Sequence, residues 1–169
     1  SGRELFTIST NFSRRNFENG GDDFIERLQN TLQRYGIDPC YIEIEVTESV
    51  IVEKLDSLKA CLTRLGKLGY RIAIDDFGTG YSSLSVLLEI PANVVKIDKS
   101  FTDKIHQNGQ SAFVYQMGQF IQSAKEEVIF EGIEEEQQRT FLMECGFNYG
   151  QGYYFDRPLP LEEFEKKYI

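Results

Sequence analysis

Carboxylate, amide and amine side chains recur in this sequence where its short apolar runs end. They are Asn11, Glu45, Glu48, Asp75, Asp76, Lys96, Asp98, Glu131 and Gln151. The carboxyl ends of the strands form the functional face of a parallel α/β sheet, so we expect these side chains to lie near one another. Each of them alone could be a helix cap, a surface lysine or half of an ion pair. Their recurrence at one strand end after another favours a shared site.

The oxygen donors in this set predict a site for a hard divalent cation. Clustered carboxylates repel one another and must take up protons or share a cation. Asn11, Glu45, Asp75 and Asp76 offer oxygen without a nearby His or Cys, which favours Mg²⁺ or Mn²⁺ over zinc. Adjacent Asp75 and Asp76 point to opposite sides of an extended strand, whereas a turn there could aim both at metals, so a two-metal site stays open. The single histidine, His106, stands in a polar stretch and is predicted to be a solvated loop residue.

The stretch 75–84, DDFGTGYSSL, is predicted to connect a strand to a helix. It has neither the third glycine of a dinucleotide-binding fingerprint nor the lysine of a P-loop. Two interpretations stay open. The stretch could be a turn in which Ser82 or Ser83 caps the next helix, or a mobile loop with metal ligands at its base.

Alternating strands and helices must position these side chains. The predicted strands are Leu5–Thr10, Tyr41–Val46, Arg71–Ile74, Val94–Ile97, Glu127–Phe130 and Gly152–Phe155. Three segments between them have apolar residues every three or four positions, as amphipathic helices do: Phe24, Leu28, Leu32 and Tyr35; Leu55, Leu58, Leu62 and Leu65; Phe113, Met117, Phe120 and Ala124. Helix ends are predicted at Gly36, Gly69 and Gly146, and a helix start at Asp22 or Asp23. Strict alternation indicates a parallel sheet, which could be an open doubly wound sheet or a closed barrel.

Composition limits the kinds of partner. The chain has 169 residues, 41% of them hydrophobic, and no linker-like stretch, so we expect one domain over residues 1–169. A net charge of -9 and a pI near 4.7 oppose binding to a DNA or RNA polymer. No apolar run approaches the roughly 18 residues of a membrane helix, and the start does not resemble a signal peptide, so we expect a cytoplasmic domain without membrane contact. Cys40, Cys61 and Cys145 are predicted to be reduced thiols.

Six stretches together resemble the EAL domain of cyclic di-GMP phosphodiesterases. They are NFS at 11–13, EVTE at 45–48, IDDFGTGYSSL at 74–84, KIDKSF at 96–101, EGIE at 131–134 and QGY at 151–153. Their order and spacing also fit that family, over almost the whole chain. The resemblance implies a TIM-type (β/α) barrel of bacterial signalling proteins. It also implies a metal-dependent hydrolase that converts cyclic di-GMP to linear pGpG.

The resemblance assigns a role to each matched residue. Asn11, Glu45 and Asp75 would ligate one metal and Asp76 would help to hold a second, so that the complete domain uses two Mg²⁺ or Mn²⁺ ions. Lys96 would sit beside the attacking water and the phosphate, and Glu131 would be the general base or its equivalent on the metal side. The remaining roles belong to Gln151, which would line the same site, Glu48, which would anchor the loop at 75–78, and Glu134, a second glutamate near the active site.

The sequence departs from the family pattern in two ways. Phe130 stands where the family usually has alanine, and we expect its ring to tighten the pocket wall. The Glu-Ala-Leu segment and a nearby phosphate-binding arginine have no counterpart, so the expected fold is an N-terminally truncated barrel of about six strands that lacks one metal ligand. Such a barrel cannot close, and we expect its edge strands to favour a homo-oligomer.

Three functions are therefore weighed. The first is a phosphodiesterase whose activity is impaired in this fragment. The second is a degenerate EAL domain that binds cyclic di-GMP or a protein without turnover. The third, some other Mg²⁺-dependent TIM-type lyase or enolase-like enzyme, leaves the DDFGTGYSS stretch unexplained.

Overall fold

The computed structural model describes residues 6–53, 55–79, 84–106, 109–125 and 127–169. Its strands are β1 (Ile8–Asn11), β2 (Ile42–Thr47), β3 (Arg71–Phe77), β4 (Val94–Ile97), β5 (Glu127–Phe130) and β6 (Tyr149–Gly150). Its helices are α1 (Asp22–Tyr35), α2 (Glu48–Glu53), α3 (Leu55–Lys67), α4 (Leu84–Glu89), α5 (Lys99–Thr102), α6 (Ser111–Ala124), α7 (Glu136–Glu144) and α8 (Leu161–Tyr168). Two 3₁₀ helices, Arg14–Gly21 and Pro39–Tyr41, complete the described elements.

The six strands form one parallel sheet in chain order, β1-β2-β3-β4-β5-β6. A doubly wound sheet reverses its strand order at a switch point, and this order does not reverse. The fold is therefore a section of a (β/α) barrel, and of the two topologies left open by the sequence the barrel is confirmed. Residues 80–83, which include Ser82 and Ser83, lie outside the described residues.

The two faces of the sheet differ sharply in chemistry. The outer face packs under the helices and carries Ile44, Val46, Ile72, Ile74, Val95, Ile97, Val128 and Phe130 in one hydrophobic core. Side chains alternate along a strand, so the other residues point to the inner face. Those inner residues include Glu43, Glu45, Arg71, Asp75, Lys96 and Glu127. The period-two pattern thus places the charged strand residues on the concave side, except Asp76, whose position depends on an irregularity in β3.

The helices of the outer layer agree with the predicted periodicities, with one difference in orientation. In α3 the predicted positions Leu58, Leu62 and Leu65 are fully buried. In α6 the buried residues are Val114, Gly118 and Ile121, whereas Phe113 and Phe120 are largely exposed. The core-facing side of α6 is rotated by about one residue from the predicted side, because Gly118 meets two aromatic rings that require a small residue.

Helix ends largely follow the predicted signals. Gly36 adopts a left-handed conformation after α1, and Gly69 and Gly146 are left-handed too. The N-cap of α1 is Gly21, so Asp22 and Asp23 occupy its first turn instead of the cap. There their carboxylates still stabilise the positive end of the helix dipole.

The last predicted strand is wrong. Residues Gly152–Phe155 form a turn, and the strand that pairs with β5 is the two-residue β6. Gly152 passes so close to the Ile133 backbone that no side chain fits there, and Tyr154 N donates to the Ile133 carbonyl at 2.9 Å. The aromatic run resembles a strand in composition but wraps over the loop that follows β5.

The C-terminal helix α8 lies on the surface and contacts residues next to both edge strands of the sheet, β1 and β6. Phe164 stacks edge-on against Phe6, just before β1, with ring centroids 5.8 Å apart. Lys167 and Tyr168 both donate to the carboxylate of Asp156, which follows β6. Among the described residues no helix combines the length and the apolar character needed to span a bilayer. Cys40, Cys61 and Cys145 are free thiols, as predicted.

Candidate active site

A kink at the end of β3 brings two adjacent carboxylates to the same side. The register between β3 and β4 shifts between Ile74 and Phe77, and Asp76 has a φ of 53°. A positive φ in a residue without glycine's freedom is uncommon and marks a local bulge or turn. Because of this irregularity, Asp75 and Asp76 do not point to opposite faces, as they would in a regular strand.

Asp75, Asp76 and Glu131 form a cluster of carboxylates on the inner face. Each offers one oxygen, and these oxygens all lie within 4.8 Å of one another. Glu131 follows β5 directly, and its backbone N–H donates to the Ile97 carbonyl at 3.0 Å, which fixes its position against β4. Oxygens at these separations can share a divalent cation.

The cluster holds more negative charge than its surroundings stabilise. Burial, together with the nearby Asp75 carboxylate, raises the pKa of Glu131 to about 7. Burial and the charge of Glu45 likewise raise the pKa of Asp75. Both raised pKa values show that the charged carboxylates are disfavoured without a counter-charge. A bound cation would lower both pKa values.

Lys96 and Glu45 form a buried ion pair next to the cluster. Both side chains lie on the inner face, on β4 and β2, and the Lys96 ammonium donates to Glu45 Oε1. Burial alone would lower the pKa of Lys96, but its contacts with Glu45, Asp75 and Glu131 raise it overall. Lys96 is therefore held as a cation among three carboxylates.

The other predicted site residues lie around this centre. Asn11 ends β1 in register with Glu45 and is exposed. Glu48 begins α2, is 1% exposed, and accepts a hydrogen bond from the Gly78 backbone N–H at 2.9 Å. This bond ties the chain after β3 to the start of α2.

Glu134 and Gln151 lie in the segments that follow β5 and β6. Glu134 pairs with Lys99 at 3.2 Å. Gln151 follows β6, donates its backbone N–H to the Phe130 carbonyl at 2.9 Å and accepts from Ile133 N at 3.0 Å. Gln151 also lines a cleft of about 380 Å³ with Tyr153 and Arg157, next to α8, and this cleft does not include the carboxylates of the cluster. His106 is exposed at a turn, away from the carboxylates.

A second group of charges on the inner face was not predicted. At the amino ends of the strands, Arg71 bonds to Glu127 at 2.6 Å and approaches Glu43 at 3.6 Å. Ser9 also donates to Glu43 at 3.1 Å. The alternation of side chains along the strands could have revealed this group. Arg71 lies four residues before Asp75 on β3, and Glu127 lies four residues before Glu131, which directly follows β5.

Phe130 does not tighten the pocket wall, contrary to expectation. It is fully buried on the outer face and packs against Phe147, with ring centroids 4.9 Å apart. Residues 127, 129 and 131 face inward, so residue 130 must face the helices. Gly118 of α6 makes room for both rings.

The inner face thus offers oxygen ligands, a buried ammonium group and a carboxyl group with a pKa near neutrality. This set is suited to binding a hard cation and to moving a proton from water. Comparison with known proteins places these residues in a family context.

Two curated relatives match nearly the whole chain. The signaling protein YkoW of Bacillus subtilis is 40% identical over 163 residues, which are 95% of this chain and 20% of YkoW. The cyclic di-GMP phosphodiesterase NbdA of Pseudomonas aeruginosa is 36% identical over 99% of this chain and 22% of NbdA. The chain therefore spans about a fifth of the length of these relatives.

Solved structures agree with the fold. The EAL enzyme Bd1971, in its form with cAMP and cyclic di-GMP bound, matches with a TM-score of 0.89 and 34% identity, covering 97% of this chain and 43% of that chain. A manganese and cyclic di-GMP complex of BlrP1 from Klebsiella pneumoniae matches with a TM-score of 0.82 and 28% identity, covering 91% of this chain and 39% of that one. The family model of the EAL domain matches residues 2–158. This chain belongs to the EAL domain family.

Proposed function

We propose that this chain supplies the metal-binding and proton-transferring side chains of a phosphodiesterase that hydrolyses cyclic di-GMP to linear pGpG. The observation that carries the proposal is the cluster of Asp75, Asp76 and Glu131, whose oxygens lie within 4.8 Å of one another beside the Lys96 ammonium. The activity named for NbdA and the nucleotide named for the Bd1971 complex support the choice of substrate.

The donor set fits Mg²⁺ or Mn²⁺. Among the described residues, Asn11, Glu45, Asp75, Asp76 and Glu131 offer carboxylate and amide oxygens, and the raised pKa values of Asp75 and Glu131 indicate an uncompensated negative charge. Asp75, Asp76 and Glu131 would hold the first ion, and Asn11 and Glu45, which are in register on β1 and β2, would complete a site for two. A cation bound here would polarise the phosphate and make the attacking water more acidic.

The side chains of this chain would carry the remaining steps. Glu131 would accept a proton from the attacking water as the water oxygen bonds to phosphorus. The bond from phosphorus to the 3′ oxygen would break, and that oxygen would leave as a hydroxyl with a proton from solvent. Lys96 would stabilise the negative charge that develops on the phosphate oxygens. Gln151, at the edge of its cleft, would contact the nucleotide, while Glu48 would keep the Gly78 backbone in place.

Calorimetric titration with Mn²⁺ tests the metal site. We expect Asp75→Asn to weaken binding by at least about 10-fold, because a charged ligand becomes a neutral one. Glu163→Gln, on the exposed face of α8, serves as a control that should bind like the wild type. Equal affinity in Asp75→Asn and the wild type would remove Asp75 from the site.

Chromatography of the reaction products tests the chemistry. Incubation with cyclic di-GMP and Mn²⁺ should yield pGpG, and Glu131→Gln should abolish the product because it removes the proton acceptor. The same variant should weaken Mn²⁺ binding, because Glu131 is one of the three ligands proposed for the first ion. We further propose that the 169 residues alone turn over more slowly than a protein in which the Glu-Ala-Leu strands precede them. This follows because β1 and β6 are not paired with each other in the described sheet. Equal rates would show that those strands are dispensable.

A binding module without turnover is the second candidate. The buried pair of Lys96 and Glu45 favours it, because a carboxylate neutralised by a lysine is a weaker metal ligand. Binding of cyclic di-GMP without formation of pGpG, in the chain extended by the Glu-Ala-Leu strands, would select this function over hydrolysis.

A further inference from the structure

The side chain of Gln138 is buried in the first turn of α7 and forms hydrogen bonds to two separate segments of the chain, the loop after β5 and helix α5. It is 8% exposed. Its Oε1 accepts hydrogen bonds from the backbone N–H of Glu134 at 2.9 Å and of Glu135 at 3.0 Å. Its Nε2 donates to the carbonyl oxygen of Thr102 in α5 at 3.3 Å. One amide thus joins the loop after β5 to the helix after β4.

Helix capping explains only part of this arrangement. Gln138 is the third residue of α7, and its bond to the Glu135 N–H is half of a capping box. Capping requires neither the bond to Glu134, which lies before the cap residue, nor the bond to Thr102. These two bonds hold the loop after β5 and helix α5 in place and do not cap α7.

The loop that Gln138 holds begins with Glu131. Glu131 is fixed at its own N–H by the Ile97 carbonyl, and the backbone of Ile133 is bonded to Gln151 and Tyr154. Gly132 is left-handed, with a φ of 66°, and a side chain there would collide with Lys99. The far end of the loop, at Glu134 and Glu135, is bonded to the Gln138 side chain.

We infer that Gln138 is a positioning residue that holds Glu131 and, through the backbone of Ile133, Gln151 in the geometry that the reaction needs. The inference rests on the proposed function, because it gives Glu131 and Gln151 their roles. Gln138 touches no reacting atom. Partners that orient metal ligands typically contribute about 10-fold to 100-fold in metal affinity, and we expect the lower figure because Gln138 acts through the backbone.

Mn²⁺ titration of the 169-residue chain tests this role. Gln138→Met keeps the size of the side chain and removes all three hydrogen bonds, and should weaken Mn²⁺ binding about 10-fold. Gln138→Glu keeps the acceptor oxygens for the backbone N–H groups of Glu134 and Glu135, loses the donor to Thr102 and adds a carboxylate charge. Because the two bonds to the loop are kept, its loss of Mn²⁺ affinity should be smaller than that of Gln138→Met. Leu142→Val, in the same helix and also buried, is the matched control for lost stability and should change Mn²⁺ affinity less than about two-fold.

A double-mutant cycle shows whether Gln138 acts through Glu131. In a Glu131→Gln background, adding Gln138→Met should produce little further loss of Mn²⁺ affinity, because the carboxylate that it positions is already gone. An equal loss in both backgrounds, or the same loss in Leu142→Val, would overturn the inference.

If the wild-type chain binds no Mn²⁺, the proposed function fails, and hydrogen exchange of the Glu131 amide decides the positioning role. Exchange must then be faster in Gln138→Met than in Leu142→Val, and equal exchange overturns the inference.

Discussion

The ammonium group of Lys96 and the carboxylate of Glu45 pair across the inner face of the sheet, with β3 between their strands and with exposures of only 5% and 8%. Such a pair differs from a surface ion pair, because removing either partner leaves an uncompensated charge in a poorly solvated place. The pair therefore links the stability of the sheet to the composition of the candidate site.

We predict that Lys96→Met lowers the free energy of unfolding by about 3 kcal/mol, as expected when a buried pair loses one partner. Urea denaturation at neutral pH measures the change. The matched control is Lys59→Met, which removes a surface pair with Glu89, both side chains being about 40% exposed, and should change stability by less than about 1 kcal/mol. Similar effects of the two substitutions would show that the Lys96 pair is not effectively buried.

We predict that the metal-free protein becomes less stable as pH rises from 4.5 to 7. Glu131 has a pKa of about 7 in the folded protein, against 4.5 in the unfolded chain, so the folded state binds the extra proton within this window. Its stabilising contribution is fully present below pH 4.5 and is lost as pH rises through 7. The raised pKa of Asp75 acts in the same direction.

Urea denaturation in the presence of a chelator, repeated across this pH range, checks the prediction. Glu131→Gln should flatten the pH profile, because the amide does not titrate. An unchanged slope in that variant would assign the effect to other groups.

We predict that Gly118→Ala destabilises the protein although alanine favours helices. A Cβ at residue 118 would collide with Phe147 and lie 2.9 Å from the Phe130 ring. Overpacking of this kind costs about 1–3 kcal/mol, which outweighs a helix-propensity gain of about 1 kcal/mol. Gly66→Ala, in α3 with open space around it, is the control and should stabilise the protein. The midpoint of thermal unfolding of each variant, compared with that of the wild type, measures these changes. A midpoint for Gly118→Ala above that of the wild type would refute the packing described for Phe130.

We predict that the protein self-associates through its sheet edges. In the described sheet β1 and β6 each pair with only one strand, and Ile8 on β1 is 64% exposed. Unpaired edges are templates for further pairing, and a lysine placed on an edge opposes it. Ile8→Lys should therefore shift sedimentation at tens of micromolar towards monomer, whereas Leu88→Lys, at a position that is 75% exposed on helix α4, should not. A wild-type protein that stays monomeric would contradict the prediction.

The local patterns of the sequence were sufficient to predict β4, β5 and α3 almost to the residue, because apolar periodicity and strand-end signals agree there. They failed where a tertiary contact overrides local preference. Gly152–Phe155 is rich in aromatic residues yet turns, since Gly152 must pass against the Ile133 backbone. The side of α6 that faces the core could not be predicted. Gly118 is buried because the rings of Phe130 and Phe147 pack against it, and no local pattern indicates this contact.

Much of the candidate site was foreseeable for a simple reason. Asp75, Asp76, Lys96 and Glu131 lie at or near strand ends, and a parallel sheet gathers such ends at one edge. A turn at Asp75 and Asp76 was one of two alternatives that the sequence left open, and it could not be decided because a positive φ in aspartate depends on its surroundings. Gln138 was missed as well. Its signal was a glutamine three residues after a helix cap, which by itself indicates only capping.

The charges on the inner face also bear on how this protein behaves in solution. A concave sheet lined with leucine and valine would expose a large apolar surface and would precipitate unless another body covered it. Here Arg71, Asp75, Glu127 and Glu131 keep part of their surface exposed, and Glu43, Glu45 and Lys96 are paired within the sheet, so the inner face is polar along its length. We expect an open section of barrel with such a face to associate through its two edge strands rather than through the inner face. Replacing such charges with apolar residues would improve local packing at the expense of solubility.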